Sequence, residues 1–142
     1  MLHGILSLIR GYDTNLSDLE CRIVDELCLH ISVDCAVRLR RRVELINRVY
    51  RLDGGREVLF YRKRMGSVII DKDTSISCIG GPCLFAKFVI ESDDAMSRNS
   101  GKVILFDGVF FSIKYNNPTE HLEMQNIKSL KLELVDEGIN EN

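Results

Sequence analysis

The sequence predicts an α+β fold: two N-terminal helices packed on one face of an antiparallel sheet of about five strands. Three observations predict it. Ser17 and Glu20 form a capping box that opens an apolar stripe of helical period. After Gly55 the chain changes to runs of aromatic and β-branched residues. Two of those runs are joined by Asp107-Gly108, a two-residue hairpin signal. Helices placed before strands do not suggest repeated βαβ units, and the length fits one domain, residues 1–142.

The first helix is read over about 17–31. Leu19, Ile23, Leu27 and Ile31 share one face, with Val24 and Cys28 beside them. Ser32 or Asp34 can cap a second helix, in which Ala36, Leu39, Val43, Ile46 and Tyr50 fall within one arc. Leu52-Asp53-Gly54-Gly55 is expected to end it, because glycines there tolerate positive φ. The strands are expected in 56–64, 83–91, the two halves of 102–115, and around 130–135. In this last run Leu130, Leu132 and Leu134 alternate with Lys131 and Glu133, as in a strand with one solvated face. Polar stretches at 91–101 and 116–126 read as loops, the second with room for a short helix after Pro118.

The chain has no apolar run near the roughly 20 residues a membrane-spanning helix needs, and its N-terminus lacks the pattern of a signal peptide. With an odd number of cysteines, this leads to the expectation of a cytoplasmic protein with free thiols. Cys21, Cys28 and Cys35 are seven residues apart. On a helix that spacing separates neighbours by about 10 Å, too far for a disulfide or one zinc ion. Cys78 and Cys83 flank a glycine turn but lack a second ligand pair, so neither a metal nor a cofactor is expected.

No nucleophile elbow, zinc-protease helix or phosphate loop occurs, and the paired acids Asp93-Asp94 and Asp136-Glu137 sit in polar stretches. No catalytic residue is assigned, and a small enzyme of unknown reaction is the third reading. Charge is the stronger signal. Residues 38–64 hold ten Lys or Arg against three acids, while the rest of the chain holds nine bases and eighteen acids. Such segregation can steer a charged partner. Asp93, Asp94, Glu120 and Glu123 are therefore candidate partner-binding residues. Arg38, Arg40, Arg41, Arg48 and Arg62 are the alternative, an anion-binding set for a nucleic-acid or regulatory accessory protein. A pI near 5.9 weighs against nucleic acid, and no membrane partner is expected.

The order of a helix carrying "LRRRVELINRVYR", then "GGREVLFYRKR" and later "DGVFFSIKY", resembles small uncharacterised bacterial proteins associated with polymorphic toxin–immunity systems. The resemblance covers about residues 39–64 and 103–115 and carries over no functional residue. It implies an immunity protein that neutralises a cognate toxin domain by stoichiometric binding, without catalysis.

Overall fold

The computed structural model describes residues 11–77, 80–93, 98–119 and 126–135. Helix α1 (Asp18–Cys28) begins at the predicted capping box. Ser17 Oγ accepts from the Glu20 amide at 3.2 Å, and the Ser17 amide donates to Glu20 Oε1 at 2.8 Å. Helix α2 (Val33–Leu45) is capped by Ser32, which accepts from the Cys35 amide. Eight strands follow: β1 (Arg48–Leu52), β2 (Glu57–Tyr61), β3 (Lys63–Arg64), β4 (Ser67–Val68), β5 (Pro82–Ser92), β6 (Arg98–Phe106), β7 (Val109–Tyr115) and β8 (Ile127–Leu134).

Six of these strands form one sheet in the order β1-β2-β7-β6-β5-β8, with every neighbouring pair antiparallel. Strands β3 and β4 make a separate two-stranded ribbon. Ile23, Val24 and Leu27 from α1 and Leu39 from α2 pack with Val58, Phe60, Phe88, Ile90, Phe110 and Ile113 from one face of the sheet. The predicted two-layer α+β architecture is thus present, with six main strands where about five were expected.

The added strand corrects the sequence reading. Helix α2 stops at Leu45, Ile46 is already extended, and Arg48–Leu52 pairs with β2. Tyr50 continues the helical spacing of Ile46, yet Ile46 lies in the core with the helices while Tyr50 packs against Tyr61 on the other face of the sheet, so the continuation was coincidental. Asp53, Gly54 and Gly55 all have positive φ and close the β1–β2 hairpin instead of ending a helix. A second correction concerns 91–101. Glu91 and Ser92 remain in β5, and Arg98 to Gly101 belong to β6, with Glu91 opposite Arg98. Arg98 is exposed, but Ser92 and Gly101 are buried, so polarity did not mark a loop there. The proposed helix after Pro118 falls mainly in 120–125, outside the described residues.

The Asp107-Gly108 hairpin is present, with φ of 51° and 83° at its two residues. Gly108 also lies under residues 75–77, where an added β-carbon would come within 2.3 Å of the Ser77 carbonyl oxygen. Gly101 is fixed by a similar closeness. A β-carbon there would lie 2.4 Å from the Lys114 carbonyl oxygen and 2.5 Å from the Phe88 ring.

Arg42 is the least expected core residue, a guanidinium only 1% exposed. The β2–β7 ladder has just three residue pairs, ending at Leu59 and Ser112. Beyond that point Arg42 Nε donates to the Phe110 carbonyl at 2.9 Å and Nη2 to the Phe60 carbonyl at 3.1 Å. One side chain of α2 thus joins two strands where their own pairing stops, beside the stacked rings of Phe60 and Phe110. Burial lowers the Arg42 pKa to about 10, offset in part by the Asp71 carboxylate and reinforced by Arg62. Replacing it by an apolar side chain leaves both carbonyls without that donor. Arg42→Met should lower unfolding free energy by about 3 kcal/mol, measured as the shift in a urea midpoint.

Near the start of α1, Glu20 is 3% exposed and accepts from Arg51 Nη2 at 2.8 Å and Nε at 3.0 Å. Arg51 also pairs with Asp13. The acid of the capping box therefore binds α1 to strand β1. Tyr115 lies close by. Burial, reinforced by the Glu20 carboxylate and opposed by Arg51, raises its pKa well above the ordinary tyrosine value. The unfolded chain releases this proton near pH 10 and the folded chain keeps it, so stability falls as pH rises above about 10. Arg42 acts in the opposite sense there. Tyr115→Phe should lessen the loss of stability between about pH 9 and pH 11, read as the difference between variant and wild-type midpoints.

Candidate functional site

The sequence-predicted residues do not form one site among the described residues. Asp93 is exposed at the end of β5, where its amide donates to the Asn126 carbonyl at 2.7 Å. Asp94, Glu120 and Glu123 lie outside the described residues. The five arginines are dispersed. Arg38 pairs with Asp34 at 3.0 Å, Arg40 with Asp25 at 3.0 Å, and Arg41 with Asp73 at 3.7 Å. Arg62 pairs with Asp71, and Arg48 lies over the Tyr12 ring at 4.5 Å. Arg38, Arg40 and Arg41 thus serve the solvated side of α2, where exposed pairs add little stability.

Neither Cys21 nor Cys28 is an activated nucleophile. Burial raises the pKa of Cys21 and Cys28, aided at Cys21 by Asp25, Glu20 and Asp18 and opposed at Cys28 by Arg40. Reactive cysteines need the opposite shift. Cys28 packs against the core as expected, while Cys21 is exposed. Among the described residues no group of three His, Cys, Asp or Glu side chains could hold a metal ion. Glu20 has both oxygens committed to structural hydrogen bonds.

A different grouping lies on the sheet face turned away from the helices. Strand alternation puts Lys87, Lys102 and Lys114 on that face, and their registers align them. Lys114 is directly opposite Lys102, and Lys102 directly opposite Lys87. With strands about 4.8 Å apart, the row crosses about 10 Å of sheet. All three side chains are exposed. Glu57, 3.7 Å from Lys114, stands at one end, and Glu133 is opposite Lys87 at the other. Among the described residues Lys87, Lys102 and nearby Lys131 have no ion pair. These three lysines, with Ser100, Asn116 and Glu133, line a surface depression of about 420 Å³.

Beside the lysine row the same face turns aromatic. Tyr50, Tyr61, Phe111 and Phe106 form a chain of rings with successive centroids 5.7, 5.4 and 5.6 Å apart. Tyr12 extends it at 5.9 Å from Tyr50, and Lys63 lies over the Tyr50 and Tyr61 rings at 5.5 and 5.8 Å. A shallow hollow of about 380 Å³ is lined by Tyr50, Leu59, Tyr61, Lys63 and Val68. Aromatic side chains beside cations suit a partner surface that is partly apolar and negatively charged.

Sequence reasoning passed over the lysine row because each member is a lone cation in an apolar strand: Ala86-Lys87-Phe88, Gly101-Lys102-Val103 and Ile113-Lys114-Tyr115. That repeated pattern was a usable signal, since lysine between two inward-facing neighbours must point outward. Their alignment needed the register.

Like charges directly opposite one another on adjacent strands are destabilising, so the row costs the fold stability. Lys102→Glu would set a carboxylate between two ammonium groups. It should raise unfolding free energy by about 0.5–1 kcal/mol, seen as a higher denaturant midpoint that converges on wild type in high salt.

Compared with protein-family models, with curated proteins and with solved structures, the chain matches none of them. No helix among the described residues is long and apolar enough to cross a membrane.

Proposed function

We propose that this chain is a stoichiometric binding protein whose open sheet face docks on an acidic protein surface. The carrying observation is the row Lys114, Lys102 and Lys87, two of whose members lack a counter-ion among the described residues, beside an aromatic strip on the same face. A carboxylate-bearing partner would relieve the repulsion within the row, and the tyrosine and phenylalanine rings would supply the apolar part of the interface. In the specific form expected from the sequence, the partner is a bacterial toxin domain and the chain is its cytoplasmic immunity protein.

Nucleic acid is the competing anion. Glu57 and Glu133 bracket the row and interrupt any long phosphate track, and the formal charge of the chain is −2. Both features favour a protein surface of limited size over a polymer of phosphates.

The test combines the chain with the C-terminal domain of any large secreted protein encoded by a neighbouring gene. A one-to-one complex in size-exclusion chromatography and protection of cells expressing that domain are the expected results. Lys102→Glu should weaken the complex about tenfold or more while leaving the fold at least as stable. Absence of both complex and protection would overturn the immunity reading. Binding of a single-stranded oligonucleotide at low salt, abolished by Lys102→Glu, would replace the protein partner with nucleic acid.

A further inference from the structure

The two edges of the main sheet differ. At the β1 edge, Val49 exchanges two backbone hydrogen bonds with Asp13, 2.8 and 2.9 Å long, which occupy part of that edge. Strand β8 runs for eight residues along the opposite edge, paired on one side with β5 and with no strand on its other side among the described residues. An edge of that length presents unpaired backbone donors and acceptors to another chain.

Its sequence also has an internal symmetry. Leu130-Lys131-Leu132-Glu133-Leu134 reads as apolar, basic, apolar, acidic, apolar, so reversal about Leu132 exchanges the two charges and matches each leucine with a leucine. Leu130 and Leu132 are buried on the helix side, and Leu134 packs against the same core. Lys131 and Glu133 are exposed on the other face and have no ion pair among the described residues.

We infer that β8 is a homodimerisation edge, pairing antiparallel with β8 of a second copy about a two-fold axis through Leu132. In that register Lys131 faces Glu133 of the second copy and Glu133 faces its Lys131. Leu132 faces Leu132, and Leu130 faces Leu134 in both directions. The axis is perpendicular to the sheet, so both helical layers lie on one side and the two lysine-bearing faces on the other. The result is one continuous antiparallel sheet of twelve strands built from two six-stranded halves. Another register on the same edge loses this match: centring on Lys131 or Glu133 sets like charges against each other.

A single strand seam is smaller than most permanent interfaces, so the dimer should depend on concentration over about the micromolar range. Sedimentation velocity on the full chain tests it, with urea midpoints recorded alongside to verify folding. Wild type should pass from monomer to dimer as concentration rises. Lys131→Glu and Glu133→Lys each place two like-charged pairs across the seam and should raise the dissociation constant about tenfold or more. The double variant Lys131→Glu/Glu133→Lys restores both pairs in reversed order and should return the constant to within about threefold of wild type. A chain that stays monomeric at high concentration would overturn the inference. So would a dimer indifferent to the single variants, or one the double variant does not restore. None of these outcomes depends on whether a toxin domain binds.

Discussion

The buried guanidinium of Arg42 is the contact on which the arrangement of layers depends. It belongs to α2, yet its donors are used by two strands, one before and one after the long middle section of the chain. Phe60 and Phe110 present their carbonyls to it where the β2–β7 ladder has ended. Burying a charged group is expensive, and the two hydrogen bonds with the Asp71 field offset part of that cost. What the fold gains is a fixed relation among helix, strand and strand at a place where backbone pairing alone leaves a gap.

The same economy of residues recurs at Glu20, which closes the N-terminus of α1 and holds Arg51 on β1. These two anchors leave the opposite sheet face with little structural duty. That freedom explains how three aligned lysines can persist there despite mutual repulsion. A stability-optimised sheet would alternate signs across such a row, as Glu57 and Lys114 do at its end.

Much of the architecture was legible in the sequence because its signals are local. The Ser17 box, the Asp107-Gly108 turn and the alternation around Leu132 each involve a few consecutive residues and one physical requirement. Strand β1 was misread because Tyr50 continues the helical spacing of Ile46 by coincidence, although the two lie on opposite sides of the sheet. Arg42 stands three residues after Leu39 and four before Ile46, beside the apolar arc, but a helical stripe of apolar residues does not announce a buried cation. The candidate site was hidden for a different reason. Lys87, Lys102 and Lys114 become a group only through pairing across strands, whereas the conspicuous arginine run is scattered among separate carboxylates. Of the four acids expected to bind a partner, only Asp93 is among the described residues.

The three-pair ladder between β2 and β7 divides the molecule into two locally connected parts. One contains the helices and the β1–β2 hairpin; the other contains β5, β6 and β7 joined in sequence, with β8 alongside. Contacts between consecutive strands form between residues near in the chain, but β5 meets β8 across 35 to 48 residues, and joining the two parts brings Glu57 beside Lys114 across a longer loop. Closing that loop carries an entropic cost that grows with its length. The seam is therefore a natural late step in folding and an early site of partial opening, at which backbone amides would exchange with solvent before the rest of the sheet comes apart.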